Sequence, residues 1–345
     1  MDDVARLASM DRSDLFRAAA EKMGVTTAII EKDFWVCWVL RRLYALPDLP
    51  AEIHFKGGTS LSKVFAVIER MSEDIDLVID RQGLGFTGDK NPAAPGHSRN
   101  ARERLVAEIR VASHAFVREE LMPRMAATFS EFLGREDAAT SWLLTMDDDD
   151  DPTIVFSYPT IEPTSHYLRE EVRLELGARG DPRPSVTGTI HPYAADVFPA
   201  QFKDPDVAMP RVLAAERTYW EKATMLHRLY YMAKDKPLGE REARHYYDFF
   251  RLSNHDAGRR ALEDIQLLSD VVDHKMLFYS CAWAQYPLAK PGSLRLVPPD
   301  YRLGELRADY NHMADEMMFG DVPGFGDVLQ GLQDVEAAFN RRENR

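Results

Sequence analysis

Two aspartates one residue apart, Asp74 and Asp76, stand near the end of the segment FKGGTSLSKVFAVIERMSEDIDLVID (55–80). The run from Asp74 to Ile79 alternates as a β-strand does. Ile75, Leu77 and Ile79 then turn to a core, and the two carboxylates share the opposite face. Carboxylates held this close repel unless a cation lies between them, and hard oxygen ligands suit Mg²⁺ or Mn²⁺. Asp-x-Asp alone also fits an ordinary solvent-facing strand. A third carboxylate is offered by EEVRLELGAR (170–179), where Val172, Leu174 and Leu176 form an apolar face and leave Glu171, Arg173 and Glu175 opposite. Glu175 is the candidate third ligand; simple pairing with Arg173 is the alternative.

Upstream of the aspartates lies a glycine pair. Gly57 and Gly58 follow Lys56 and allow turn conformations closed to other residues. Thr59 or Ser60 is expected to cap the next helix, whose apolar positions Leu61, Val64, Phe65 and Ile68 fall at i, i+3, i+4 and i+7. A glycine-rich turn at a helix N-terminus presents free N–H groups to a phosphate. Lys56, Gly57, Gly58, Thr59 and Ser60 are therefore the candidate nucleotide-binding residues. No Gly-Lys-Ser/Thr closes the turn, so it is not a Walker A loop, and its adjacent glycines exclude a Rossmann fingerprint. For the glycines alone, a tight strand-to-helix turn is explanation enough; the Asp pair one helix later is what favours a phosphate cradle facing a metal site.

These residues need elements to position them. Residues 12–46 read as two helices, the first ended by Gly24 and the second by Pro47 and Pro50. Residues 52–55 and 74–79 read as strands, 81–100 as a Gly/Pro/Asn-rich loop, and about 100–134 as a charged helix. The run Asp147–Asp151 reads as a solvated loop, because five adjacent side chains cannot converge on one ion. Strand signals return in TIVFSYP and EEVRLELGAR, and from about 206 onward the pattern is helical. The expected class is α/β or α+β, with residues 1–205 holding N-terminal helices and the catalytic core. Residues 206–345 are expected to form a helical domain that completes the active-site cleft.

Composition bounds the rest. The chain has 345 residues, 45% hydrophobic and 29% charged, enough for a sizeable core in one large or two ordinary domains. No apolar run approaches a membrane span, and the charged N-terminus lacks a signal-peptide core. Cys37 and Cys281 have no CxxC spacing and sit in apolar, helical contexts, which suits buried free thiols and a reducing cytoplasm. A net charge of −13 speaks against polyanion binding by the whole surface. Residues 211–251 carry nine Lys/Arg against six Asp/Glu, a local excess that permits a polyphosphate or RNA contact.

Several motifs in order carry a family resemblance. KGGTSLSKVFAVIERMSEDIDLVI (56–79) resembles the first motif of the AbiEii/AbiGii toxin family, nucleotidyltransferases of the DNA-polymerase-β-like superfamily. IIEKDFWVCWVLRRL (29–43) is similar to the family's N-terminal helix, and ERTYWEKATMLHRL (216–229) to its second motif, with Lys222 as the lysine. RHYYDFFRL (244–252) resembles the third motif, with Asp248 as its aspartate. DYNHMADEMMFGDVPGF (309–325) is more loosely similar to the C-terminal helices, and 81–150 matches nothing. On its own helix Lys222 is flanked by Tyr219, Ala223, Leu226 and Leu229, so it emerges from an apolar face. It either snorkels or reaches a phosphate, and the resemblance favours the phosphate. Asp248 stands four residues after Arg244, so a helix salt bridge is its plain explanation, against the active-site role the resemblance implies. His227 and His245 read as structural.

The resemblance implies a polymerase-β-like core with a mixed sheet and a Mg²⁺- or Mn²⁺-dependent enzyme that takes an NTP as substrate. Asp74, Asp76, Lys222 and Asp248 would be catalytic, with Asp74, Asp76 and Glu175 on the metal. It further implies a hydroxyl acceptor at the 3′ end of tRNA, a toxin role in a toxin–antitoxin or phage-defence pair, and a cognate antitoxin. Two alternatives stay open: a nucleotidyltransferase acting on protein hydroxyls, and a non-catalytic nucleotide-binding module.

Overall fold

Alternating hydrophobicity organises one seven-stranded sheet, and the computed structural model describes it within residues 1–134, 142–147, 151–161 and 169–342. The chain divides into two compact units, 1–64 with 71–212 and 65–70 with 213–345. The first unit contains α1 (Asp2–Ala5), α2 (Ser9–Met23), α3 (Thr27–Tyr44), β1 (Ile53–Lys56), α4 (Gly57–Lys63) and β2 (Asp74–Ile79). It continues with α5 (Arg99–Phe116), α6 (Met122–Leu133), β3 (Leu143–Asp147), β4 (Thr153–Ser157), β5 (Glu171–Gly177), β6 (Ser185–Ile190), α7 (Tyr193–Val197) and β7 (Val207–Leu213). The strand order is β3-β4-β5-β2-β1-β7-β6. β2 runs antiparallel to β1 and parallel to β5, and β7 runs parallel to β1, so the sheet is mixed as expected.

Register explains why one sheet face is core. Ile53 pairs with Ile79 and Phe55 with Leu77. Ile75 pairs with Leu174 and Leu77 with Leu176, while Ile154 pairs with Leu174 and Phe156 with Val172. All are buried on one face. Against it lies α3, begun by the Thr26 side chain accepting from the Ile29 amide and apolar on nearly every side. Its Trp35 and Trp38 meet Phe156 with ring centroids 5.7 and 6.0 Å apart. A helix this enclosed leaves little room for charge, yet Glu31, Lys32 and Asp33 are buried within it.

The second unit is helical beyond Leu213: α8 (Ala215–Tyr230), α9 (Ala243–Ser253), α10 (Asp256–Glu263), α11 (Ile265–Phe278), α12 (Leu303–Glu316) and α13 (Phe325–Asn340). Tyr219 on α8 packs on Phe249 of α9 at 4.7 Å, and Trp220 on Phe339 of α13 at 5.5 Å. The α/β class with a helical C-terminal half is therefore what the chain adopts. Among the described residues no helix is long and apolar enough to cross a membrane.

Four expectations need correction. Residues 207–213 are a strand, not helix: Val207 and Met209 are buried while Ala208 and Pro210 are exposed, the period of two that marks a half-buried strand. The helix after the glycines stops at Lys63 and never reaches Phe65 or Ile68. Cys37 is buried and free, whereas Cys281 is only half-buried and lies outside any helix. The acidic run is not simply loop, since Asp147 closes β3 and pairs with Arg173 at 2.9 Å. Asp151 pairs with Arg179 at 2.8 Å; residues 148–150 fall outside the described residues.

Candidate active site

The other face of the sheet is polar, and its rows follow from the same register. Asp76 stands between Lys56 on β1 and Glu175 on β5. Beyond Glu175 the row continues through Thr153 to Asp147. Asp74 lies one period along β2, beside Arg173. Paired residues on neighbouring strands project to the same side, so Asp74, Asp76 and Glu175 share one face. The Arg173 guanidinium pairs with Asp147 at 2.9 Å and with Glu171 at 3.3 Å. The three carboxylates share the face without closing into one cage. Among the described residues, the one group of three His, Cys, Asp or Glu ligand atoms within 4.8 Å of one another is Glu52, His54 and Asp80.

The glycine turn sits against Asp76. Gly57 takes φ +75° at the junction of β1 and α4, and a Cβ added there would lie 1.9 Å from Asp76 Oδ2. Only glycine allows the backbone and the carboxylate to come so close. Neither hydroxyl residue caps α4, contrary to expectation. Thr59 Oγ1 donates to the Asp74 carbonyl at 2.6 Å, and Ser60 Oγ to the Gly57 carbonyl at 2.9 Å. The Thr59 bond ties α4 to β2 at Asp74, a positioning device that helix periodicity does not reveal.

Behind the turn, α4 is anchored by a buried ion pair. Lys63 Nζ donates to Asp33 Oδ1 at 2.7 Å and lies 3.5 Å from the centroid of the Tyr193 ring. The Tyr193 amide donates to the other Asp33 oxygen at 2.6 Å. Burial would lower the lysine pKa, but the adjoining Asp33 carboxylate outweighs it and holds Lys63 above its ordinary value. In the same helix Lys32 donates to the Arg169 carbonyl at 3.0 Å and lies 3.8 Å from Glu73, which immediately precedes Asp74. Glu31 accepts from the Ile161 amide at 3.1 Å. Burial pushes its carboxyl up to about 7, against the pull of Arg12. The Glu-Lys-Asp of the N-terminal motif is thus three buried ionisable side chains, two of which brace α4 and the residue that leads into Asp74.

In the second unit, Lys222 and Asp248 meet directly. Lys222 Nζ donates to Asp248 Oδ2 at 2.6 Å and to His245 Nδ1 at 3.0 Å. Asp248 is fully buried and also takes a two-pronged contact from Arg70, Nε to Oδ1 at 2.7 Å and Nη2 to Oδ2 at 2.8 Å. Its partners are Arg70 and Lys222, so the expected bond to Arg244 is not what holds it. Burial raises the Asp248 pKa, but Arg70 and Lys222 outweigh it and keep the carboxyl ionised, below the usual carboxylate range. Burial, with Arg70 adding to it, lowers the pKa of Lys222. Burial and the Lys222 charge drive His245 well below its ordinary value, so its neutral ring accepts at Nδ1. His227 receives the Arg295 amide at Nδ1 and donates from Nε2 to the Gln285 carbonyl, both at 3.0 Å; it is structural. Arg70 carries no sequence signal, because its partner lies 178 residues away.

Part of the basic segment 211–251 is paired within the molecule, while Lys234 and Lys236 are exposed. Arg217 is buried and pairs with Glu221, Lys222 with Asp248, and Arg251 with Glu69.

The family "Nucleotidyl transferase AbiEii toxin, Type IV TA system" matches residues 38–341. No curated protein matches the chain. Among solved structures it is similar to MenT4, a nucleotidyltransferase toxin from Mycobacterium tuberculosis H37Rv, at 13% identity and a TM-score of 0.48, over 98% of this chain and 91% of that one. With its family matched over most of its length, the chain belongs to the AbiEii nucleotidyltransferase toxins of type IV toxin–antitoxin systems, and it is a nucleotidyltransferase.

Proposed function

We propose that the protein moves a nucleoside monophosphate from an NTP to a hydroxyl at the 3′ end of tRNA, with Mg²⁺ or Mn²⁺, as a cytoplasmic toxin checked by a cognate antitoxin. The observation that carries the proposal is the close seating of Gly57 on Asp76, on a sheet face where Asp74 and Glu175 stand in adjacent register. Three carboxylates on one face are a hard-oxygen donor set, which suits Mg²⁺ or Mn²⁺. Asp74, Asp76 and Glu175 would hold the ion. When bound, it supplies positive charge to the triphosphate and to the departing pyrophosphate.

The chain's own residues do the rest. Backbone N–H groups of Gly57–Ser60 face phosphate oxygens, and Lys56, opposite Asp76 across the ladder, adds a positive charge. The Thr59 bond and the Lys63–Asp33 pair keep that turn from drifting away from Asp74 and Asp76. From the motif resemblance, Lys222 neutralises substrate charge; Asp248, which accepts from it at 2.6 Å, favours its protonated form. The acceptor hydroxyl gives up its proton to solvent and its oxygen bonds to the α-phosphorus as the bond to pyrophosphate breaks.

A second reading, transfer to a protein hydroxyl, is favoured by the net charge of −13. Purified protein incubated with each labelled NTP, Mg²⁺, and either total tRNA or cell protein separates the two. Label on RNA, lost in Asp76→Asn, supports the first. Label on protein alone supports the second. Nucleotide binding without transfer to either would leave the non-catalytic module.

A further inference from the structure

At the far end of the β1–β2 hairpin from the glycine turn, three side chains converge that play no part in the reaction above. Glu52 precedes β1, His54 lies within it, and Asp80 follows β2. The register that pairs Ile53 with Ile79 sets Glu52 against Asp80, whose amide donates to the Glu52 carbonyl at 2.8 Å. Alternation puts His54 on the same side. One ligand atom from each residue lies within 4.8 Å of the other two, and His54 Nε2 is 3.7 Å from Glu52 Oε2.

The imidazole is the independent sign of a ligand. His54 is only 5% exposed, and neither ring nitrogen has a hydrogen-bond partner. Buried polar atoms without a partner are rare, and each calls for an explanation. Both carboxylates, by contrast, have one oxygen held: Arg211 donates to Glu52 Oε1, and the Gln82 amide donates to Asp80 Oδ1. These contacts fix the carboxylates while leaving Glu52 Oε2 toward the ring.

We propose that Glu52, His54 and Asp80 form a binding site for a divalent transition-metal ion of the zinc class. Imidazole nitrogen with two carboxylate oxygens suits such an ion, whereas Mg²⁺ and Ca²⁺ prefer oxygen throughout. Tetrahedral bonds of about 2.0–2.1 Å place ligand atoms roughly 3.4 Å apart. The 3.7 Å separation is already close to that, and side-chain rotation closes the remainder without moving the strands. The nearby cations are Arg211, which stays on the other Glu52 oxygen, and Arg183; two carboxylates outnumber the one cation bound among them. An ion there would cross-link the start of β1 to the end of β2, apart from the Asp74 and Asp76 positions.

Chelator-stripped full-length protein titrated with Zn²⁺, by calorimetry and by thermal unfolding, tests the site. Co²⁺ in place of zinc adds an absorption band that reports its coordination. The expected result is one equivalent bound with a raised melting temperature, retained in Asp76→Asn and weakened at least tenfold in His54→Gln. Should His54→Gln fail to fold, Glu52→Gln decides, since that side chain is 54% exposed and its loss leaves the fold intact. Absence of a zinc equivalent in the wild type overturns the proposal. So does zinc affinity unchanged in the foldable ligand variants, or affinity lost in Asp76→Asn.

Discussion

Substituting Gly57 by alanine tests whether the turn and Asp76 work as one unit. The new Cβ would lie 1.9 Å from Asp76 Oδ2, 2.4 Å from Cγ and 2.8 Å from Cβ. Carbon and oxygen settle at about 3.3 Å or more, so the carboxylate must retreat by more than 1 Å. The backbone at φ +75° adds about 1–2 kcal/mol of left-handed strain for a residue with a Cβ. Overpacking contributes a further ~1–3 kcal/mol. Displacing a reacting group by about 1 Å costs on the order of 100-fold in rate. Gly24→Ala is the matched control: its φ is +67°, yet nothing lies within 4 Å of its added Cβ. It suffers the strain alone. Initial rates of pyrophosphate release, with melting temperatures for both variants, read the two effects apart. Gly57→Ala should lose roughly 100-fold in rate, while Gly24→Ala stays near wild type. If the two variants lose rate equally, Asp76 is not held by the turn and the reasoning is wrong.

The second unit's charge network predicts an order of stabilities. Asp248→Asn removes the buried carboxylate that Arg70 and Lys222 share and should cost about 3–5 kcal/mol, whereas Lys222→Met leaves Asp248 on its two bonds to Arg70 and should cost less. Urea midpoints in the reverse order would count against the network. Glu31 predicts a pH dependence: its folded carboxyl titrates near 7 instead of 4.5, so its contribution to stability is fully present below about pH 4.5 and is lost as pH rises to about 7. That loss is on the order of 3 kcal/mol, and Glu31→Gln should flatten the fall in melting temperature between pH 5 and 8; an unchanged slope would refute the assignment. Lys63→Met leaves Asp33 buried with only the Tyr193 amide, and should destabilise the first unit by about 3–5 kcal/mol; a melting temperature within a degree of wild type would show the pair to be dispensable.

Strand β2 was legible because its alternation is strong: six residues, one apolar face, two acids opposite. The placing of Glu175 beside Asp76 was legible only as a candidate, since alternation gives the face of each strand but not the register between them. The length of α4 was misread for a tertiary reason. Leu61, Val64, Phe65 and Ile68 keep a helical period, yet the chain turns at Ala66, with φ +51°. Residues 65–70 are held by long-range bonds that local propensity cannot anticipate: Arg70 to Asp248, Arg251 to Glu69 and to the Val67 carbonyl. Lys222 was marked by its apolar neighbours, but not its partners; that it meets a buried acid instead of snorkelling, and which acid, is not in the sequence. The Glu-Lys-Asp of α3 stood out as a motif while its purpose, bracing α4 and the approach to Asp74, depends on partners in other elements, Lys63 and Glu73, and on Arg169 and Tyr193 more than a hundred positions away.

The two faces of the sheet divide the consequences of substitution. On the apolar face, Phe156 of β4 is covered by Trp35 and Trp38 of α3, and its strand neighbours are buried, so a smaller side chain there opens a cavity and lowers stability first. On the polar face, Asp74 and Asp76 are only half-buried and Glu175 is exposed. Removing one of their charges relieves repulsion and leaves no void. Asp74→Asn, Asp76→Asn and Glu175→Gln should therefore leave folding intact or strengthen it slightly. A drop in activity in these variants then reports chemistry. In Lys222 or Asp248 variants, where the removed charge is buried and paired, activity and stability must be measured together before a catalytic role can be assigned.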